Sequence, residues 1–433
     1  MYPRPILPAL AARLALAGAL AGALALSGPA AAAGAAAVVA AAGDIACDPE
    51  DPRYNSGLGL ANACRMADTA ALLAGLAAGE GLDAVLLLGN NQYEDGALHR
   101  YQSSYASTWG PFRDVTRPAA GNHEYVTPGA AGYFAYFGAA AGEPGKGWYS
   151  FDLAGWHVVV LNSNCAAVGG CGAGSAQLRW LEADLAAHAG ACTLATWHHP
   201  RFSSGLHGDD PRTAPFWEAL YQAGADVILT GHDHDYERFA PQDPSGRADP
   251  QRGLRQFVVG TGGKDLRPFT RVRPNSESRA ADSFGVLKLR LRPGSYDWQF
   301  LPTPGISTFA EPDSGTAACH SAGDVLPLLG GRFRAEVAWR DFAGTPGAGH
   351  PVSKATEASG IFWFFQPDNW ELLVKMVDGC ALNGRFWVFT AGLTTVEYEL
   401  TVTDTATGRS VRYANPLGRA AEPVQDTAAF ECP

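Results

Sequence analysis

Five short segments carry side chains able to hold cations: Gly43-Asp44-Ile45-Ala46, Gly89-Asn90-Asn91-Gln92-Tyr93, Gly121-Asn122-His123-Glu124, Trp197-His198-His199-Pro200 and Gly231-His232-Asp233-His234. Carboxylate, amide and phenol oxygens together with imidazole nitrogens are donors that first-row transition metals take from proteins. Each segment alone has an ordinary structural explanation. Gly-Asp makes a turn, Gly-Asn-His caps a loop, and paired His residues complete a polar strand end. Five in succession are another matter. Four of them open on a Gly, which permits a sharp turn and close backbone approach, and the set points to a metal centre.

The elements that must position these segments lie just before them. Residues 38–42, 84–88, 158–161, 193–197 and 226–230 are short apolar runs, as expected of strands buried on both faces. Nearly all the candidate ligands follow such a run, at the C-terminal strand ends where open α/β sheets gather their sites. Helical periodicity marks residues 65–76 and 175–188; in the second, Leu178, Leu181 and Leu185 recur on one face. This alternation predicts a layered α/β domain. Beyond Gly285 strands are expected over 286–291 and 296–301, joined across Pro293-Gly294-Ser295.

Residues 325–433 change character. Aromatic and β-branched runs at 333–339, 361–365, 370–377, 385–393 and 396–402 alternate with turn signals and predict a small all-β, sandwich-like C-terminal domain. Its aromatics serve as core or, on an exposed face, as a contact surface for glycans or envelope polymers. The expected organisation is a signal peptide over 1–33, an α/β domain over 34–322 and the β domain over 323–433. The signal reading rests on Arg4 and Arg13, the apolar stretch from Leu14 to Leu26, and the Ala-rich segment after Ser27-Gly28-Pro29. An uncleaved membrane anchor is the alternative. After cleavage no membrane span is expected, and the chain is expected to be secreted.

The 8 Cys fit an exported protein with full pairing. Proximity favours Cys47–Cys64 and Cys165–Cys171, Cys380–Cys432 closes the C-terminal segment, and Cys192–Cys319 follows by elimination. No Cys-x-x-Cys spacing supports a zinc site instead. With 32 basic against 43 acidic residues, the net charge of −11 speaks against a nucleic-acid-binding surface.

At the five segments the sequence resembles the calcineurin-like metallophosphoesterases, and within them the purple acid phosphatase pattern, over about residues 38–305. The resemblance implies a β-sandwich core flanked by helices and a secreted enzyme that hydrolyses small phosphate esters with two metal ions, iron with Fe, Zn or Mn. By the same resemblance Asp44, Tyr93 and His234 would hold one metal, and Asn122, His198 and His232 the other. His198 rather than His199 is implied because the ligand precedes x-Pro. His123 and His207 match histidines next to substrate, His123 as general acid. Glu124, beside it in the chain, is expected either to orient His123 or to make a simple loop hydrogen bond. The family's second motif carries an Asp that bridges both metals; here Asn90 stands in its place. A neutral amide offers one good oxygen donor where a carboxylate offers two anionic ones. Either metal binding is retained through the other ligands, with two ions or a single one tightly held, or the chain is a catalytically weakened metal- or phosphate-binding protein. An envelope-adhesion protein working through its β domain is the further alternative.

Overall fold

The computed structural model describes Met1 and residues 36–433 apart from 61, 189–190, 251, 305–312, 321–324, 352–355, 357, 367–368 and 433. The expected signal peptide and the expected junction at 322–323 lie outside the described residues. In chain order the first strands are β1 (Ala37–Ala42), β2 (Ala84–Leu88), β3 (Thr116–Ala119), β4 (Tyr149–Leu153), β5 (Trp156–Val160), β6 (Cys192–Thr196), β7 (Val227–Thr230), β8 (Tyr236–Phe239), β9 (Arg255–Val259), β10 (Ser276–Ala280), β11 (Gly285–Arg292), β12 (Ser295–Pro302) and β13 (Ser314–Ala318). They form a six-stranded sheet in the order β13-β12-β11-β1-β2-β3 and a seven-stranded sheet in the order β10-β8-β9-β7-β6-β5-β4.

Each sheet contains a parallel run: β1, β2 and β3 at one end of the first, with β3 at its edge, and β5, β6, β7 and β9 in the middle of the other. The all-apolar runs sit here because both faces of these strands are covered. Trp156, Val158, Leu194, Val227, Leu229, Phe257 and Val259 join side chains of β1, β2, β11 and β12 in one buried cluster. Their neighbours Val159, Ala195, Ile228 and Val258 point the other way and pack with Leu178, Leu181, Leu185, Phe216, Trp217 and Leu220 of the helices Ala176–Ala187 and Ala214–Ala223. The helix Met66–Gly79 brings Met66, Ala70, Leu73 and Leu76 to the first cluster. The predicted helices over 65–76 and 175–188 thus form within a few residues of their expected bounds.

Two further antiparallel sheets follow. One contains Val325–Leu328, Phe333–Arg340, Glu397–Asp404 and Ser410–Asn415; the other contains His350–Pro351, Ser359–Trp363, Trp370–Gly379, Arg385–Gly392 and Val424–Glu431. Period-2 alternation sends Phe362, Leu372, Val374, Met376, Phe386 and Val388 into a shared core with Phe333, Val337 and Leu400. The aromatics of this region are therefore divided. Trp363, Trp387 and Phe389 are half-buried on the other face, and Trp370 is exposed. Gly34–Pro433 group as one compact unit.

The expected disulfides all form: Cys47–Cys64, Cys165–Cys171, Cys192–Cys319 and Cys380–Cys432. Among the described residues no helix is long and apolar enough to cross a membrane.

Candidate metal centre

The C-terminal ends of the parallel strands of both sheets converge. β1 delivers Asp44, β2 delivers Asn90 and Tyr93, and β3 delivers Asn122. From the other sheet β6 delivers His198, and β7 delivers His232 and His234. Three of these residues take a left-handed backbone, Asp44 at φ 58°, Asn90 at φ 51° and His232 at φ 74°. Non-Gly residues there are uncommon and gather where function demands a particular aim of the side chain. Two glycines are required by space: a Cβ on Gly89 would lie 2.5 Å from the His198 ring, and one on Gly121 would lie 2.3 Å from the Asn90 backbone nitrogen.

The donor atoms form a chain of contacts. Tyr93 OH lies 2.6 Å from Asp44 Oδ1 and 3.1 Å from His234 Nε2, and His234 Nε2 is 3.3 Å from Asp44 Oδ1. On the other side His198 Nε2 is 3.0 Å from Asn122 Oδ1, and His232 Nδ1 is 3.2 Å from His198 Nε2. Asn90 stands between the two sets. Its Nδ2 is 3.0 Å from Asp44 Oδ1, 3.1 Å from Tyr93 OH and 3.4 Å from Asn122 Oδ1. All the expected ligand residues are brought together.

The histidines are held by their outer nitrogens. His198 Nδ1–H donates to the Leu88 carbonyl at 2.8 Å, and His234 Nδ1 pairs with Asp265. Fixing one ring nitrogen turns the other inward as a lone-pair donor, which is the usual support of a metal-bound imidazole. Burial pushes His198 down to about 4. In His234 burial is outweighed by Asp44 and Asp265, which raise it to about 9. Burial also opposes ionisation of Asp44, yet His234, His198 and the Tyr93 hydroxyl hold it well below the usual carboxylate range. A neutral His198 Nε2 and the Asn122 amide oxygen face each other with lone pairs, and a cation between them removes that repulsion. The donor set therefore fits two metal ions with one reservation of orientation. The Asn90 amide presents its NH2 to the ligands while its Oδ1 accepts from His123 N at 2.9 Å, so the side chain must turn over to offer oxygen.

His123 and His207 flank this set. The His123 ring lies over Tyr93, 4.3 Å between centroids, and its Nδ1–H donates to the Glu94 carbonyl. His207 stacks on His232 at 4.1 Å. Its Nδ1–H donates to Asp233 Oδ1 at 2.9 Å, and fully buried Asp233 also accepts from Ser203 Oγ and from the backbone N–H of His207 and Gly208.

Of the two roles expected for Glu124, the structure shows the loop hydrogen bonds, and the carboxylate does not orient His123. Its carboxylate accepts from the backbone N–H of Asn90 at 2.9 Å, Asn91 at 2.8 Å, Gln92 at 3.3 Å and Gly121 at 2.6 Å, and from Tyr101 OH at 3.0 Å. Buried backbone N–H groups require acceptors, and Glu124 supplies them for the two loops that carry Asn90 and Asn122. Sequence reasoning also missed Asp233, Asp265 and Lys264. Asp233 was visible as the free position within Gly231-His232-Asp233-His234. Asp265 and Lys264 follow the strand-end run Gly260-Thr261-Gly262-Gly263, which has the same punctuation as the segments already singled out. The Lys264 ammonium lies 4.9 Å from the Tyr93 ring centroid and pairs with Glu94 and Asp51.

The family model described as calcineurin-like phosphoesterase matches residues 37–236. Among curated proteins, the chain is 29% identical over 201 residues to purple acid phosphatase 18 of Arabidopsis thaliana, covering 41% of this chain and 43% of that protein. It is 35% identical over 154 residues to purple acid phosphatase 21 of the same plant, covering 33% of this chain and 34% of the relative. The chain thus spans less than half the length of these relatives. A solved purple acid phosphatase from yellow lupin (Lupinus luteus) seeds shares the fold, with a TM-score of 0.51 at 20% identity over 66% of this chain and 54% of the other.

Proposed function

We propose, from the match of residues 37–236 to the calcineurin-like phosphoesterase family model, that the chain is a secreted, metal-dependent phosphatase acting on small phosphate esters. The observation that carries this reading is the contiguous array of Asp44, Tyr93 and His234 on one side and Asn122, His198 and His232 on the other, with Asn90 between. When bound, a metal pair supplies Lewis acidity and a water made acidic enough to attack phosphorus. Asp44, Tyr93 and His234 would hold one ion, the other three the second, and Asn90 would reach both only through its single oxygen.

The remaining chemistry belongs to the chain. Asp233 accepts the Nδ1–H of His207 and so fixes the ring, which in its doubly protonated form donates its Nε2–H to a phosphoryl oxygen. The Glu94 carbonyl accepts the Nδ1–H of His123 and so fixes the ring, which in its doubly protonated form hands its Nε2 proton to the departing alkoxide; such proton transfer is typically worth ~10²–10⁴-fold in rate. Four disulfides support an oxidising compartment.

A second reading has its own observation. The Asn90 NH2 faces the ligand oxygens, which favours a protein that binds metal or phosphate but turns over slowly. Elemental analysis of the purified chain beside assays on aryl phosphate mono- and diesters tests both. Bound transition metal with hydrolysis supports the phosphatase; bound metal without hydrolysis supports the second reading; absence of both refutes the two together.

A further inference from the structure

Two imidazoles and two carboxylates meet at the edge of the seven-stranded sheet. His157 is the second residue of β5, toward the end opposite the strand termini described above. Its side chain is 1% exposed, with Nδ1 2.9 Å from Asp152 Oδ1 and Nε2 2.8 Å from Asp184 Oδ2. Asp152 sits directly across from it on the edge strand β4. Asp184 and His188 stand one turn apart at the C-terminal end of the helix Ala176–Ala187, and the His157 and His188 rings stack with centroids 3.7 Å apart. One ligand atom from each of Asp152, His157 and His188 lies within 4.8 Å of the others.

The hydrogen bonds around these rings set their tautomers. Asp184 is largely buried and is held by Ser150 Oγ–H at 2.8 Å, so it is placed to accept the Nε2 proton of His157. A neutral His157 then presents its Nδ1 lone pair to the Asp152 carboxylate, and two acceptors 2.9 Å apart repel unless a cation joins them. His188 is set the same way: its Nδ1–H donates to the Asp184 carbonyl at 2.8 Å, which leaves Nε2 as an acceptor. Each ring thus has one nitrogen committed and the other open, as metal-bound histidines do.

We propose that Asp152, His157 and His188 bind a divalent cation of the zinc type, with Asp184 orienting His157 from behind. Two imidazole nitrogens and one carboxylate, with a coordination position left to water, suit such an ion. His188 stands on the rim at the helix end, its side chain 35% exposed. The ion would fasten the edge strand β4 to the end of the helix. The competing occupant is a proton: burial disfavours charge on His157, but Asp184 and Asp152 outweigh it and raise its pKa.

The full chain is loaded with zinc, freed of excess by gel filtration above the titration range of histidine, and analysed for metal beside Asp152→Asn and His188→Ala. Both positions are open enough to change without disturbing the core. The expected result is one zinc ion fewer per chain in each variant, with hydrolysis of aryl phosphates unchanged. Zinc is also expected to raise the Tm of the wild type more than that of either variant. Equal zinc content in wild type and both variants overturns the site and assigns a proton to His157. Because the difference is read between proteins that share Asp44, Asn122 and the other ligands of the main centre, failure of the phosphatase reading leaves this result interpretable.

Discussion

Replacing Asn90 by Asp restores the anion that the two ligand sets lack, and the structure sets the size of the effect. In the metal-free protein a carboxylate oxygen in place of Nδ2 would stand 3.0 Å from Asp44 Oδ1. Two unit charges at that separation repel by about 5 kcal/mol at an effective dielectric of ~20. His234, kept protonated to about 9 by Asp44 and Asp265 against its burial, offsets part of this. A net loss of roughly 2–4 kcal/mol remains, equivalent for a compact unit spanning Gly34–Pro433 to a fall in Tm of roughly 2–5 °C. Bound metal would reverse the sign, because the same carboxylate would supply an anionic ligand. Asn90→Asp should therefore melt lower than the wild type in chelator and higher in saturating metal, bind metal at least ~10–100-fold more tightly, and hydrolyse aryl phosphates faster. Calorimetric melts with and without chelator, metal titration and initial rates supply the three readouts. Identical melts in chelator together with identical metal content would refute the placement of residue 90 between the ligand sets.

Three further outcomes follow from the same geometry. Asp233→Asn cannot accept the His207 Nδ1–H as an anion; kcat should fall by about 10-fold or more with metal content retained, and a loss of metal instead would show that Asp233 acts on the ligands. Glu124→Ala strands the N–H groups of Asn90, Asn91 and Gly121 at about 1–3 kcal/mol each, so thermal melts should show severe destabilisation, and a near-native Tm would contradict the anchoring role. Burial raises Asp226 to about 8 although Thr193 and His320 N–H donate to it. A folded pKa above the unfolded one means that its contribution is fully present below about pH 4 and is lost as pH rises toward about 8. The slope in this window approaches ~1.4 kcal/mol per pH unit, and stability measured against pH should lose it in Asp226→Asn.

Much of the fold was legible because burial on both faces leaves a plain mark. The runs at 38–42 and 84–88 contain nothing polar, those at 193–197 and 226–230 are mostly apolar, and all become strands with parallel neighbours. β3, with the sequence Thr-Arg-Pro-Ala, went unseen: four residues with an Arg and a Pro carry no apolar signal. β4 is an edge strand whose residues are only partly buried, so its pattern is equally faint.

By itself the sequence determined the types and order of the candidate metal donors, the strand ends that present them, and a set of cysteines that proximity and elimination could pair. Those features are local, since a ligand and the turn that aims it lie within a few residues. The tertiary structure alone decided which way each side chain faces. Glu124 is next to His123 in the chain, yet its carboxylate turns inward because four backbone N–H groups from two loops need an acceptor there. Asp265, Lys264 and Asp184 gain their roles from partners tens of residues away or on another element. Asn90 shows both levels at once: the missing charge is written in the sequence, but only the folded site shows an amide with its hydrogens turned toward oxygens that a cation would claim.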